Sequence, residues 1–292
     1  IKIWVVSNQE GQKKTVLIKL EKRISHTDTG FRFMKPSNLW KSRGILFHLI
    51  RRDILVTYKQ TILGVLWTVL KPLIMAVIVV FVFGKIGDFP DYGLPYILIG
   101  LSALTPWEFF SNSVNRGSIC LIDDRDLITR VNFPRIILFI NAALRNTLGL
   151  GINLLVTFGF MIYFDVPFTV QLLWIPVIFF FTVLLNLSLG LWLGTMNVFF
   201  RDVSTLVPFL LRVGLFISPV GFTLNSVPDL WRDLYCINPL VGIIEIMRFC
   251  ILGEQFRPDL DCILIGGASL LIILLSGLYV FGKYERKFAD II

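Results

Sequence analysis

Apolar residues in this chain are gathered into segments of membrane-spanning length. Crossing a bilayer core of about 30 Å takes roughly 20 apolar residues in a helix. Six segments approach or exceed that length: Ile62–Gly84, Leu94–Asn115, Pro134–Phe164, Leu172–Phe200, Val203–Leu224 and Cys262–Gly282. The pattern predicts an all-α membrane protein with six transmembrane helices, forming a transmembrane domain over residues 62–284.

A seventh apolar stretch, Pro239–Gly253, is too short to span and carries Glu245 and Arg248. Short apolar segments of this kind are more often re-entrant or interfacial than spanning. We therefore predict a re-entrant helical hairpin over residues 228–253, on the outer side before the last span.

The region before the first span, residues 37–61, has a helical rather than a spanning pattern. Leu46, Ile50, Ile54 and Tyr58 recur every four residues, and basic side chains occupy other faces. Such a stripe is typical of a helix that lies in the membrane interface; a soluble helix packed on another domain is the alternative.

The two ends of the chain are predicted to be cytoplasmic. Residues 1–36 form a basic segment that includes a short alternating run, 15–21, typical of a strand, and residues 285–292 form a tail. Lys and Arg are concentrated before the first span, in the loops after the second and fourth spans and at the C-terminus, and such loops face the cytoplasm. This bias accounts for the formal charge of +8 without a nucleic-acid partner.

Composition agrees with the membrane assignment. Hydrophobic residues make up 55% of the 292 and charged residues 16%, whereas a soluble domain is about a quarter charged. The four cysteines lack metal-site spacing. Cys120 is expected to be reduced and to face the cytoplasm. Cys236, Cys250 and Cys262 belong to the outer side, where buried free thiols are favoured over a disulfide.

Catalytic motifs are sparse. The sequence has no G-x-x-x-x-G-K-[ST] loop to hold phosphates and no spacing typical of a metal site. Asp124-Arg125-Asp126 has the D-x-D form used by metal-dependent sugar transferases, so a membrane-embedded glycosyl or acyl transferase is one alternative. A secondary transporter is another, but no internal repeat supports it. The chain is predicted not to be an enzyme.

Charges within the apolar spans are the best candidates for a transport path, because burying them in a membrane is costly. Glu108, Arg145 and Arg212 are predicted at similar depths. We expect Glu108 to pair with one arginine and leave the other to meet an anionic head group; a purely structural pair is equally compatible. Trp107 is an aromatic candidate, since sugar rings stack on aromatic faces.

Four segments resemble one transporter family: Leu39–Pro72, Val131–Arg135, Phe199–Phe222 and Val227–Gly253. In this order they are similar to the type-2 ABC exporter permeases for polysaccharides and polyol phosphates, such as O-antigen, lipopolysaccharide and capsule exporters. The resemblance covers the chain after about residue 37. Thr57, Phe139 and Phe222 depart from the family pattern, which bears on the assignment of individual contacts and not on the family assignment.

The resemblance implies a role for each matching segment. Residues 37–61 would form the interface helix, and Leu121–Asn132 the coupling helix that docks on an ATPase. Coupling residues would be Arg51, Arg52, Asp53, Lys59, Asp123, Asp124, Arg125, Asp126, Arg201 and Asp202. The re-entrant helices would gate the outer mouth with Asn238, Pro239, Glu245 and Arg248.

The resemblance also implies the partners. A second copy of the chain would complete the channel, and two separate ATPase subunits would bind ATP and Mg²⁺, so this chain itself would need no cofactor and no metal. The cargo would be a lipid-linked polysaccharide crossing the bacterial inner membrane, in contact with membrane lipid. Export of another amphiphile, such as teichoic acid, a lipid or a drug, is the alternative within the same class.

Overall fold

A computed structural model describes residue 40 and residues 42–59, 64–87, 90, 92–131 and 133–288. The predicted basic segment 1–36, with its short strand, and the last residues of the tail lie outside this part. Within it the chain forms helices, turns and loops and no strand. The all-α prediction is therefore confirmed for the described residues.

Eleven α-helices follow one another along the described part. They are α1 Arg43–Lys59, α2 Gly64–Val79, α3 Tyr96–Asp123, α4 Arg125–Arg130, α5 Ile136–Leu144, α6 Thr147–Tyr163, α7 Ile175–Phe199, α8 Val203–Ile217, α9 Asp229–Cys236, α10 Pro239–Leu252 and α11 Leu260–Tyr284. A π-helical segment, Val80–Ile86, continues α2. Short 3₁₀ turns cover Val170–Trp174, Leu224–Ser226, Glu254–Phe256 and Glu285–Lys287.

Four helical segments of the described chain are long and apolar enough to cross a membrane. They are Leu66–Ile86, Ile136–Tyr163, Val170–Phe199 and Leu260–Tyr284. The pair α9 and α10 adds a fifth if it is counted as one span, but its two helices are bent by 102°. The multi-pass membrane class is thus confirmed, with four or five candidate spans where the sequence predicted six.

Two predicted spans account for the difference. Helix α3 is 28 residues long but carries Glu108 and Arg116, which lower its apolar character. Helix α8 has only 15 residues, because Ser218 is extended (ψ 153°) and precedes Pro219, and the residue before a proline disfavours helical backbone. The segment predicted to reach Leu224 therefore stops seven residues earlier.

Helix α3 is the centre of the bundle and packs most extensively against α7. The two helices approach closely where Gly117 faces Gly190; a Cβ built on Gly117 would lie 2.9 Å from the Gly190 Cα. Close backbone approach at small residues is a common way for membrane helices to pack. Helices α2, α5, α6, α8 and α10 also contact α3.

The third predicted span is interrupted. Helices α5 and α6 are separated by a turn at Arg145 and Asn146. Residues around this break carry the polar groups Asn141 and Asn153, both buried. The break places Arg145 near α1, as described below.

The predicted hairpin coincides with α9 and α10, and the chain reverses between them by a bend of 102° at Ile237 and Asn238; we call this bent pair the hairpin. This reversal brings Cys236 next to the first turn of α11, where it forms a disulfide with Cys262 across a Cα–Cα distance of 4.9 Å. The sequence-based preference for free thiols was therefore wrong for these two cysteines. Cys120 and Cys250 are free and buried.

Candidate coupling and gating sites

Helix α1 turns a mixed apolar and acidic face toward the bundle. Leu49 and Asp53, one helical turn apart, are 6% and 4% exposed, respectively, and Leu46, Ile50 and Ile54 are half-buried. The predicted stripe therefore faces the protein to a large extent. Phe47, Leu55 and Val56 are exposed and lie elsewhere on the helix.

Arg52 connects α1 to the end of α3. Its Nη2 donates to Asp124 Oδ1 at 3.0 Å, and its Nε donates to Asp53 Oδ1 at 2.9 Å. Burial lowers the pKa of Arg52, but hydrogen bonds and charge from Asp53 and Asp124 outweigh it, so the pKa is raised overall. The guanidinium is thus held in its charged form between two carboxylates.

Asp124 is shared between two arginines. Its second oxygen, Oδ2, accepts from Arg116 Nη2 at 2.9 Å, and Arg116 also donates to Asp123. Asp124 is 8% exposed and ends α3 with non-helical backbone (φ −99°, ψ 25°), just before α4 begins. This junction is where the predicted coupling helix Leu121–Asn132 breaks into the end of α3 and the short α4.

Asp53 carries the connection on to the break between α5 and α6. Asn141 Nδ2 donates to Asp53 Oδ2 at 2.9 Å, and Arg145 Nε lies 4.0 Å from the same oxygen. Asp53, Asp124, Arg52 and Arg116 therefore form one ion-pair cluster that contacts three segments distant in sequence. We call this set, with Asn141 and Arg145, the α1–α3–α5 cluster.

The predicted pairing of Glu108 with Arg145 or Arg212 was wrong. No ion pair within 4 Å joins these side chains in the described chain; Glu108 instead accepts from Asn153 Nδ2 at 2.8 Å. Arg145 reaches Asp53 because the helix breaks beside it, and Arg212 is exposed on α8.

Trp107 does not line an open path within one chain. It is 6% exposed and packs against Phe110, with ring centroids 5.7 Å apart. Its ring also lies under α8, where a Cβ on Gly214 would come within 3.0 Å of it. Trp107 therefore joins α3 to α8 as a core residue of the single chain.

Several predicted coupling residues are exposed at the same end of the bundle as the cluster. Arg51, Arg125 and Asp126 are exposed beside Arg52 and Asp124, and Arg201 and Asp202 are exposed in the turn between α7 and α8. Lys59 is the last residue of α1, and its side chain lies outside the described part. Ring contact between Phe199 and Tyr284, with centroids 5.1 Å apart, brings the C-terminal turn to this end as well.

A second polar cluster lies at the other end, roughly 40 Å away along α3 at 1.5 Å per residue. Arg248 of α10 is fully buried, and its Nη1 donates to Glu245 Oε1 at 2.6 Å. Its Nη2 donates to the carbonyl oxygens of Pro219 at 2.5 Å and Phe222 at 3.1 Å. The Glu245 carboxylate also accepts from the Leu224 N–H at 3.3 Å.

These bonds hold the irregular segment 218–224, which follows α8, against the hairpin. Tyr96, at the start of α3, donates to the Gly221 carbonyl, and the hydroxyls of Tyr92 and Thr223 are 3.0 Å apart. Asn238 caps α10 by accepting from the Leu240 N–H at 3.1 Å, and Pro239 is the first helical residue. All four predicted gate residues therefore lie in the hairpin, with Glu245 and Arg248 turned inward.

Sequence reasoning missed several members of these clusters. Asn141 and Asn153 were visible as polar residues within an apolar run, and Arg116 as the residue ending the second span, but none was assigned a partner. Tyr92 and Tyr96 gave no signal beyond their aromatic character near a predicted membrane boundary.

The geometry of Asp124 argues against the transferase alternative. Both carboxylate oxygens already accept from guanidinium groups, whereas a D-x-D site presents its carboxylates to a metal ion. The neighbouring Asp126 is exposed.

Comparison with known proteins gives consistent matches. The O-antigen export system permease protein RfbA of Myxococcus xanthus is 29% identical over 258 residues, covering 86% of this chain and 96% of that protein. A Klebsiella pneumoniae protein of the same name is 25% identical over 256 residues, covering 85% and 96%. The polysialic acid transport protein KpsM of Escherichia coli is 26% identical over 206 residues, covering 68% and 78%.

Residues 45–252 match the protein family described as ABC-2 type transporter. This range extends from α1 through the end of α10 and contains both polar clusters. The chain therefore belongs to the ABC-2 type transporter family.

Proposed function

We propose that this chain is the membrane permease of an ATP-driven exporter that moves a lipid-linked polysaccharide out of the cytoplasm. One observation carries the proposal: the chain matches nearly the full length of relatives named as O-antigen export permeases. A relative named for polysialic acid transport extends the resemblance to a second kind of glycan. ATP and Mg²⁺ would bind to separate ATPase subunits.

Six membrane crossings fit this role when α3 and α8 are counted with the four strongly apolar segments. Both termini are then on one side. The disulfide between Cys236 and Cys262 lies at the end of the bundle opposite the α1–α3–α5 cluster. Because disulfides persist in oxidising compartments, this end would face the outside of the inner membrane and both termini the cytoplasm.

A second copy of the chain would cover the exposed face of α8. Phe209, Arg212 and Phe216 share this face at helical spacing, and the two rings are 60% and 62% exposed. Arg212 makes this face unsuited to lipid, since intramembrane charges face a bundle interior or a water-filled cavity. A homodimer would enclose these residues and leave Arg212 beside the path of an anionic cargo.

The exposed charges Arg51, Arg125, Asp126, Arg201 and Asp202 would contact the ATPase subunits. The α1–α3–α5 cluster would transmit the movement of the ATPase subunits, because it ties α1, the start of α4 and the α5–α6 break together. Movement would then reach the hairpin through α3, whose first turn contacts segment 218–224 through Tyr96. In this account no residue of the chain breaks a covalent bond.

The test is reconstitution with the cognate ATPase in vesicles that contain a lipid-linked glycan on the ATPase side. We expect a stable complex, ATP hydrolysis that rises with the glycan, and transfer of the glycan to the vesicle lumen. An ATPase variant that binds but does not hydrolyse ATP is the control and should give no transfer. Transfer by this chain alone, or failure to bind any ATPase, would contradict the proposal.

A further inference from the structure

The bundle has an apolar groove of about 790 Å³ between α7, α10 and α11, bounded by the side of α10 that carries Ile246 and Phe249. Its walls are the start of α7 (Trp174–Phe181), one side of α10 and the first half of α11 (Leu260–Leu271). Glycines at 242, 266 and 267 form part of its surface and leave room between the helices. Exposed Leu264 and Leu271 show that it opens sideways.

The groove has the length of one bilayer leaflet. From Leu260 to Leu271 an α-helix rises roughly 16 Å at 1.5 Å per residue, and half of a hydrocarbon core is about 15 Å. Its lining along this length is apolar, whereas a single polar end is formed by Arg257. Trp174, 55% exposed, lies at the start of α7, as aromatic residues do at membrane interfaces.

Arg257 is the charged residue that lines the groove, and carboxylates lie next to it in sequence, just outside the lining. The exposed Arg257 side chain forms no ion pair within 4 Å in the described chain. Glu254 lies one turn before it and accepts from Gln171 Nε2 at 3.1 Å through one carboxylate oxygen, and the exposed Asp261 is in the first turn of α11. A guanidinium suits a phosphate, and the two carboxylates suit an ammonium group.

We propose that this groove is a binding site for one phospholipid whose head group joins a phosphate to an ammonium, namely phosphatidylethanolamine. An acyl chain would lie between α10 and α11, the phosphate would contact Arg257, and the ammonium would face Glu254 and Asp261. The site would lie in the leaflet on the disulfide side. The bound lipid would fill the space beside the hairpin and so support α10. This proposal does not depend on which cargo the exporter carries.

Two matched substitutions test the site. Gly267 lines the groove and a Cβ there meets nothing within 4 Å, so Gly267→Trp fills the groove without a clash at the backbone. Gly159 of α6 is also exposed with open space at its Cβ and lies outside the groove, so Gly159→Trp is the control. Intact assembly and an unchanged melting temperature are checked for both.

The wild-type chain and its variants are purified from nanodiscs containing phosphatidylethanolamine or phosphatidylglycerol, and retained lipid is counted by native mass spectrometry. We expect one retained phosphatidylethanolamine per chain, loss in Gly267→Trp, and wild-type retention in Gly159→Trp. Arg257→Ala should weaken retention about tenfold, the effect of one charge-assisted contact. Equal retention by Gly267→Trp and wild type, no retained lipid, or equal retention of phosphatidylglycerol would overturn the proposal.

Discussion

The Arg52 guanidinium donates to the Asp124 carboxylate at 3.0 Å, across 72 residues of sequence. This bond joins α1 directly to the junction between α3 and α4. Arg51, the preceding residue, is exposed. Two adjacent arginines therefore have different surroundings, and the proposed function assigns them different roles.

We expect Arg52→Ala to uncouple ATP hydrolysis from transport with little loss of stability. The Arg52 side chain is 43% exposed, and without it the buried Asp53 and Asp124 carboxylates keep their hydrogen bonds from Asn141 and Arg116, so its loss should cost only about 0–1 kcal/mol of unfolding free energy. Without it, however, α1 loses its direct bond to the α3–α4 junction. Glycan-stimulated ATP hydrolysis should fall toward the basal rate while ATPase binding persists.

Arg51→Ala is the matched comparison. It should weaken binding of the ATPase subunit but leave coupling intact in the complexes that form. Removing an exposed charge should weaken binding of the ATPase subunit, and raised salt should reduce the difference from wild type. Binding is measured by titration of the ATPase into nanodisc-held permease. A double-mutant cycle of Arg52→Ala with Asp124→Asn completes the test: strictly additive effects on coupling would contradict a shared role.

Arg248 is expected to dominate the stability of the hairpin formed by α9 and α10. Arg248→Ala leaves Glu245 buried without its cation, which should cost about 3–5 kcal/mol of unfolding free energy. Arg248→Lys should recover only part of this unfolding free energy. An ammonium group lacks the planar array of donors with which the guanidinium contacts the carboxylate and the carbonyl oxygens at the same time. The melting temperature and ion leakage from vesicles measure the two effects.

Arg232→Ala is the control for the hairpin. Arg232 lies 3.5 Å from Asp259, and both side chains are at least 31% exposed, so its removal should cost less than about 1 kcal/mol. If Arg232→Ala lost as much unfolding free energy as Arg248→Ala, burial of the ion pair would not explain the effect of Arg248→Ala.

The disulfide should stabilise the hairpin under oxidising conditions. Cys236 and Cys262 are 26 positions apart in the sequence. Loss of a disulfide that closes a loop of this size should lower the free energy of unfolding by about 3 kcal/mol. We expect Cys236→Ser with Cys262→Ser, or added reductant, to lower the melting temperature. Cys250→Ser, which removes a free buried thiol, should leave the reductant response unchanged. A reductant response that persists in the double variant would contradict this assignment.

Hydrophobic pattern predicted the apolar helices because they depend on runs of apolar residues, but it counted six spans where the described chain has four or five candidates. It placed Glu245 and Arg248 correctly in the hairpin, since charges in a short apolar segment are unusual. It could not assign partners: Asp53 meets Asn141 only because α1 folds back on the bundle, 88 residues away in sequence.

The Glu108 prediction failed for a related reason. The depth of a residue along a span does not determine the side of the helix on which its side chain lies. The Arg145 side chain lies at the break between α5 and α6 and faces Asp53 of α1 instead of Glu108. The disulfide was missed because its geometry depends on the reversal at Asn238, which sequence spacing does not determine.

The contact between α3 and α7 gives a last prediction, on packing. A Cβ on Gly117 would lie 2.9 Å from the Gly190 Cα, a backbone atom that cannot rotate away, so Gly117→Ala should force the helices apart and cost about 1–3 kcal/mol. Gly159→Ala, where the Cβ meets nothing within 4 Å, should be neutral or slightly stabilising, because alanine favours helix over glycine. Thermal unfolding in detergent compares the two variants. Equal melting temperatures would mean that the α3–α7 crossing tolerates a larger separation of the two helices.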